Sequence, residues 1–292
     1  MLRRGMSIVI VLLAVLAISV PVWATVVGPH TVFDDFNKVE VKDPSNTSND
    51  PYWWIIENGD QGQYYATCGD ASCVTAQRDH GTTFARLQLR PDATPGNFTA
   101  SEISEVRTGY SYGQGRWLPT LGHPVIATAR VRFSPSYHTD GSGGAVGSAG
   151  FWLYNSYIDF PNQTIQPIKS LGFGWGEQGT SGGELEGLRT MVLQDSMPVY
   201  NNPIGPAVDM SDWMTWQMIW RVTIGGKQEV LFLINDRPAG HVVLQDPLPA
   251  LSITFWNDNQ FATFLNGSLS VEYHNPAANQ NFDVNMVDVH QQ

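Results

Sequence analysis

The feature that most restricts this chain is alternation with a period of two. Residues 125–133, VIATARVRF, place Val125, Ala127, Ala129, Val131 and Phe133 on one side and Ile126, Thr128, Arg130 and Arg132 on the other. Residues 216–224 set Trp216, Met218, Trp220, Val222 and Ile224 against Gln217, Arg221 and Thr223. Successive strand residues point to opposite faces of a sheet, so such runs read as half-buried strands. Residues 230–234, VLFLI, are apolar on both sides and read as a strand buried on both faces, closed by an Asn235-Asp236 turn. Further strands are expected at 52–57, 84–89, 102–107, 150–153, 171–175, 188–193, 241–244, 251–255, 269–273 and 282–289. The segments 43–50, 134–148, 155–167 and 195–206 read as loops. No helical periodicity and no internal repeat is visible beyond the first residues, which leaves an antiparallel sandwich or barrel.

The first 24 residues are set apart. Arg3 and Arg4 precede an apolar run at 6–20, and Val22-Trp23-Ala24 fits a small-residue cleavage site. This pattern reads as a secretory signal peptide cut after Ala24, leaving 25–292 as a single domain. The run is shorter than the ~20 residues that cross a bilayer. Cleavage would take the net charge from −11 to −13, since Arg3 and Arg4 are the only charged residues removed. An acidic surface argues against nucleic acid or anionic membrane as partner and fits an extracellular protein that binds neutral or basic material. Cys68 and Cys73, the two cysteines, read in that setting as one local disulfide. Two cysteines with no histidine cluster nearby make no zinc site.

No H-E-x-x-H, P-loop or dinucleotide fingerprint is present. What remains is carboxylates and aromatics, ten Trp among them. These are the materials of carbohydrate chemistry. Retaining glycoside hydrolysis needs two carboxyl groups ~5–5.5 Å apart, and inverting hydrolysis ~6.5–9.5 Å. Trp216 and Trp220, on the apolar side of an alternating run, are expected in the core. Trp152, Trp175 and Trp256 are the candidates for stacking on a sugar, with Arg107 and Asn257 as planar hydrogen-bonding partners. Trp175 lies in Gly174-Trp175-Gly176-Glu177, and Trp256 in Trp256-Asn257-Asp258-Asn259. The stretch 168–177, IKSLGFGWGE, alternates glycine with Phe173 and Trp175 and ends in Glu177. Glycine inside a strand marks a bulge or a close approach by a ligand or backbone.

The order of segments resembles the laminarinase-type family 16 glycoside hydrolases. The resemblance runs through Phe33-Asp34-Asp35-Phe36, Tyr52-Trp53-Trp54-Ile55, Ser101-Glu102-Ile103-Ser104, Gly150-Phe151-Trp152-Leu153, Ser211-Asp212-Trp213 and the terminal Phe282-Asp283-Val284. It implies an all-β fold, the concanavalin A-like jelly-roll sandwich of two antiparallel sheets. It also implies a central strand carrying E-x-D-x-E or the bulged E-x-D-x-x-E, with the first Glu as nucleophile and the last as acid/base. The best match to the bulged form here is 172–177. Gly172 stands at the nucleophile position, Gly174 at the assisting Asp, and Glu177 at the acid/base. A bulge would return Glu177 to the face of Gly172.

A glycine offers no nucleophile, so three readings follow. In the first, the protein binds a polysaccharide, a β-glucan or related glycan, without the family's chemistry. In the second, it hydrolyses glycans with Glu177 as acid/base and a partner drawn from Asp159, Glu184, Glu186 or Glu102. In the third, it is a structural or adhesive surface module. No cofactor is required by any of them. Members of the family often hold a structural calcium between the chain ends, for which Asp35 and Asp288 are the candidates here.

Overall fold

The computed structural model describes residues 31–36, 54–56, 74–91, 100–104, 117–155, 158–159, 164–165, 168–177, 186–205, 208–265 and 268–292. Among the described residues there are strands and turns and no helix. The strands are β1 (Thr31–Asp34), β2 (Trp54–Ile56), β3 (Val74–Asp79), β4 (Thr82–Leu89), β5 (Ala100–Ser104), β6 (Val125–Phe133), β7 (Ser148–Asn155), β8 (Ile158–Asp159), β9 (Thr164–Ile165) and β10 (Lys169–Gly176). They continue as β11 (Gly187–Gln194), β12 (Met197–Pro203), β13 (Met214–Val222), β14 (Gln228–Ile234), β15 (Arg237–Val243), β16 (Ser252–Asp258), β17 (Gln260–Leu265), β18 (Ser268–Tyr273) and β19 (Gln280–Gln291). One sheet has the order β15-β14-β13-β6-β19-β4-β3, with β1 also on β19. The second has the order β12-β11-β10-β7-β16-β5-β2. Two small pairs, β17-β18 and β8-β9, stand outside them.

Alternation in sequence becomes alternation in burial. Every odd-numbered residue of β6 is buried and every even-numbered one half-buried. On β13, Trp216, Met218 and Trp220 are buried as expected. The second sheet answers with Phe151, Leu153, Leu171 and Phe173, all fully buried. The sheets meet where the Phe173 ring stacks on Trp216, centroids 5.0 Å apart at 18°. Within the second sheet Phe151 stacks on Phe255 at 4.5 Å. Offset aromatic stacking of this kind adds to the transfer free energy of the buried area.

Three hairpins turn on pairs of positive-φ residues: His80-Gly81, Asp195-Ser196 and Asn235-Asp236. Type I′ turns need positive φ at both central positions and match the twist of the strands they join. The Asn235-Asp236 turn was expected. The Asp195-Ser196 turn corrects the reading of 195–206 as a loop, because it folds β12 back on β11. As the edge strand of its sheet, β12 tolerates Pro198 and Pro203. The small β8-β9 pair lies inside the segment read as the loop 155–167. Leu231 and Leu233 are half-buried, so β14 has one core face rather than two. The β13 alternation stops before Ile224, which is 97 % exposed where Gly225 and Gly226 turn the chain. The signal segment 1–24, Cys68, Cys73 and Arg107 lie outside the described residues.

The Trp216 indole is enclosed by Phe133, Phe173 and Phe282. Trp216→Ala is therefore expected to lower the unfolding free energy by ~3–5 kcal/mol, read from urea denaturation.

Candidate functional site

The pleat of β10 decides what the second sheet shows on its outer face. Leu171, Phe173 and Trp175 point into the core, so Gly172, Gly174 and Gly176 line the outside. Pairing carries that outer face across the strands. One row runs Glu102, Trp256, Gly150, Gly174 and Arg189. The next row runs Thr254, Trp152, Gly172 and Met191. A third holds Asp258, Ser148 and Gly176.

The glycines leave room for two indoles and the Met191 side chain. A Cβ at Gly150 would overlap the Phe173 carbonyl oxygen and the Trp256 ring. At Gly172 it would overlap the Phe151 carbonyl oxygen and stand 2.8 Å from Trp152 Cα and 2.9 Å from Trp152 Cδ1. At Gly174 it would meet the Met191 methyl at 2.5 Å, with Trp152 Nε1 at 3.6 Å and Trp256 Cη2 at 3.8 Å. The half-buried Trp152 and Trp256 rings contact each other edge to face, centroids 4.2 Å apart at 78°. Tyr154 extends the aromatic surface, 5.8 Å from Trp152. Where the family pattern would raise a nucleophile, this sheet presents an aromatic floor.

Polar groups fix one end of that floor. Trp256 Nε1 donates to Ser148 Oγ at 2.8 Å, and the Ser148 hydroxyl donates to Asp258 Oδ1 at 2.8 Å. The Gln260 N–H donates to the same oxygen at 3.1 Å. The Trp152 indole N–H is buried without a partner among the described residues. Glu102 pairs with Trp256 on the neighbouring strand, and Asp258 stands two residues beyond Trp256, so the two acids are diagonal neighbours on one face. Burial, and then the charge of Asp258, push the Glu102 carboxyl up to about 8. Burial pushes Asp258 up to about 7, against the pull of Ser148 and Gln260. Burial and Asp258 also raise the Tyr273 phenol. Desolvation disfavours the charged form of an acid, so both carboxyls are shifted toward their neutral forms.

The expected site residues divide. Trp152 and Trp256 come together on the outer face. Trp175 does not join them: at 1 % exposure it packs in the core, edge-on to Tyr137 at 4.6 Å, and donates its indole N–H to the His138 carbonyl at 2.6 Å. Asn257 is 0 % exposed and ties the sheets together, donating to Leu87 O at 3.0 Å and Gln280 O at 3.2 Å while accepting the Tyr137 hydroxyl at 2.8 Å. Neither side chain can touch a glycan on this face.

Glu177 is also turned away from the floor. The β10-β7 register runs without a bulge from Lys169↔Asn155 to Gly176↔Ser148, and Glu177 N continues it onto Gly147 O at 3.0 Å. Without the extra residue, Glu177 falls on the pleat of Trp175. Its carboxylate is 8 % exposed, accepts the Gly147 N–H at 2.5 Å and pairs with His274 Nδ1. His274 in turn stacks on Phe261 at 5.3 Å, so Glu177 clamps the β17-β18 hairpin to the sheet.

Asp288 sits opposite Phe33 on the β1-β19 ladder, with His290 Nδ1 3.2 Å from its carboxylate, and Asp35 follows β1 as an exposed residue. Among the described residues no group of three or more His, Cys, Asp or Glu side chains is placed to hold a metal ion.

Asp258 and Ser148 were missed in the sequence. Asp258 had a signal, since a residue two after Trp256 in a strand shares its face. Ser148 had none, because its place depends on the β7-β16 register.

No protein-family model matches the chain, and no curated protein matches it in sequence. Solved structures do resemble it. A β-glucanase of Bacillus licheniformis is 15% identical, with 89% of this chain and 97% of that chain covered and a TM-score of 0.50. A β-1,3-1,4-glucanase (lichenase) derived from a mouse hindgut metagenome is 12% identical, covering 89% and 98%, at 0.51. A glycoside hydrolase family 16 endo-glucanase from Bacteroides ovatus, in complex with G4G3G-2F-DNP, is 11% identical, covering 88% and 99%, at 0.51. At such identities the likeness is one of fold. The chain has the all-β, two-sheet antiparallel jelly-roll sandwich expected from its sequence.

The glycine contacts separate two substitutions. Gly172→Ala drives its methyl into backbone and should cost ~2–3 kcal/mol in denaturant unfolding, whereas Gly174→Ala meets a flexible Met191 and should cost less than ~1.5 kcal/mol. The raised Glu102 binds more protons folded than unfolded above pH ~4.5, so its stabilisation is complete below that pH and is lost as pH rises through about 8. Glu102→Gln should remove that part of the stability–pH slope.

Proposed function

We propose that this is a secreted protein that binds a polysaccharide, a β-glucan or related glycan, across the outer face of its second sheet and does not cleave it by the double-displacement route. The observation that carries this reading is the aromatic floor over Gly150, Gly172 and Gly174. An apolar aromatic surface with a few convergent polar groups is the usual make-up of a small-molecule or sugar site. The same packing leaves no room for a side chain at Gly172, so no nucleophile can stand there. The glucanases with which the fold is shared agree with a glycan as partner, and the acidic surface favours a neutral one.

One arrangement favours a second reading. Glu102 and Asp258 form a pair of acids beside Trp256 in the sheet register, and an inverting hydrolysis uses two carboxyls and needs no enzyme nucleophile. In that case Glu102 rather than Glu177 would be the acid.

The test is a paired measurement of binding and reducing-end release on soluble β-glucans and galactans. Binding without new reducing ends supports the proposal. Cleavage abolished by Glu102→Gln would establish the second reading instead, and no binding to any glycan would leave the structural or adhesive role. Trp256→Ala and Trp152→Ala are each expected to weaken binding at least tenfold, equivalent to ~1.4 kcal/mol, with the fold checked by circular dichroism.

A further inference from the structure

Glu102 differs from every other engaged acid on this sheet. Asp258 is bonded to Ser148 and the Gln260 N–H, and Glu177 to Gly147 and His274. The Glu102 carboxyl has no hydrogen-bond partner among the described residues, although its strand position is directly opposite Trp256 on the same face. The recorded neighbours do not help it ionise. On β16 the diagonal Asp258 carboxyl raises it further, and on β18 the Tyr273 phenol is raised by that same acid. From β2 its pairing partner is Ile56, and from β7 the Ser148 hydroxyl is already committed between Trp256 and Asp258. Among the described residues no cation is recorded against it: Arg189, in the same row, is four strands away and holds Glu186 O and Asn201.

We propose that Glu102 is the specificity-determining residue of the aromatic floor, meeting a neutral glycan as an uncharged carboxyl and donating its proton in a hydrogen bond to a sugar oxygen that lies across Trp256. This rests on the glycan-binding reading above. No covalent step is involved; the proton stays on Glu102. A ligand that covers the floor removes still more water from this carboxyl, so binding and protonation favour each other. Affinity is held while the proton is held, and falls as pH rises past the range in which burial and Asp258 keep it on. When only the protonated form binds, the apparent affinity scales with its population.

The experiment is calorimetric titration of the full mature chain with a β-glucan oligosaccharide at pH 7.5 and 9.5, beside Glu102→Gln. Asp258, pushed up to about 7, is already mostly ionised at the lower pH, so it changes little across the window. Wild type should lose roughly twentyfold in affinity across it. Glu102→Gln, which is neutral and keeps a donor, should change less than about threefold. Equal losses in both proteins, or no loss in either, overturns the inference while leaving glycan binding intact. A second measurement does not need a ligand: carboxyl carbon shifts of the free protein followed against pH. Titration of Glu102 above neutrality supports the inference, and titration in the ordinary carboxylate range near 4.5 overturns it. Absence of any glycan binding overturns the inference together with the reading it rests on.

Discussion

The contact on which the outer face depends is that of the Trp256 and Trp152 rings with a strip of glycine backbone. A tryptophan ring can lie against a sheet only where the neighbouring strands lack side chains. Gly150 makes that room under Trp256, and Gly172 and Gly174 make it beside Trp152 and Met191. The cost is the loose conformational freedom of glycine in a strand. It is offset by the buried faces of two large rings and by the Trp256–Ser148–Asp258 hydrogen bonds that hold one of them. Removing a glycine therefore displaces a ring, and removing a ring exposes bare backbone.

This arrangement changes the meaning of the missing carboxylates. In the sequence, Gly172 and Gly174 align with an acid and its helper in the pattern that the chain resembles, as though chemistry had been subtracted. In the folded protein their positions are filled. The aromatic floor occupies the volume, and the absence of a bulge puts Glu177 on the other pleat, where it binds Gly147 and His274. The acids that remain on the outer face come from other strands, Glu102 on β5 and Asp258 on β16. Both are raised for the same first reason, burial of the carboxyl.

The strands that alternate cleanly were legible in the sequence, because burial on one face follows directly from the period of the pleat. β6 and most of β13 show this. The edge strand β12 was not, because an edge tolerates proline and polar residues and its signal is a turn, Asp195-Ser196, made of residues that also populate loops. The site was half legible. Trp152 and Trp256 could be named from their neighbours, but Trp175 and Asn257 could not be placed without knowing which pleat of their strands faces the other sheet. The spacing of Asp258 from Trp256 put both on one face, but its place diagonally across from Glu102 depended on the register.

The central claim is that the outer-face indoles, and not the core ones, meet the ligand. The most direct measurement is two-dimensional NMR of the indole N–H groups during titration with a β-glucan oligosaccharide. The account predicts that the Trp152 and Trp256 signals shift together and saturate while those of Trp175, Trp216 and Trp220 stay fixed. A saturating titration in which Trp152 and Trp256 do not move would contradict it.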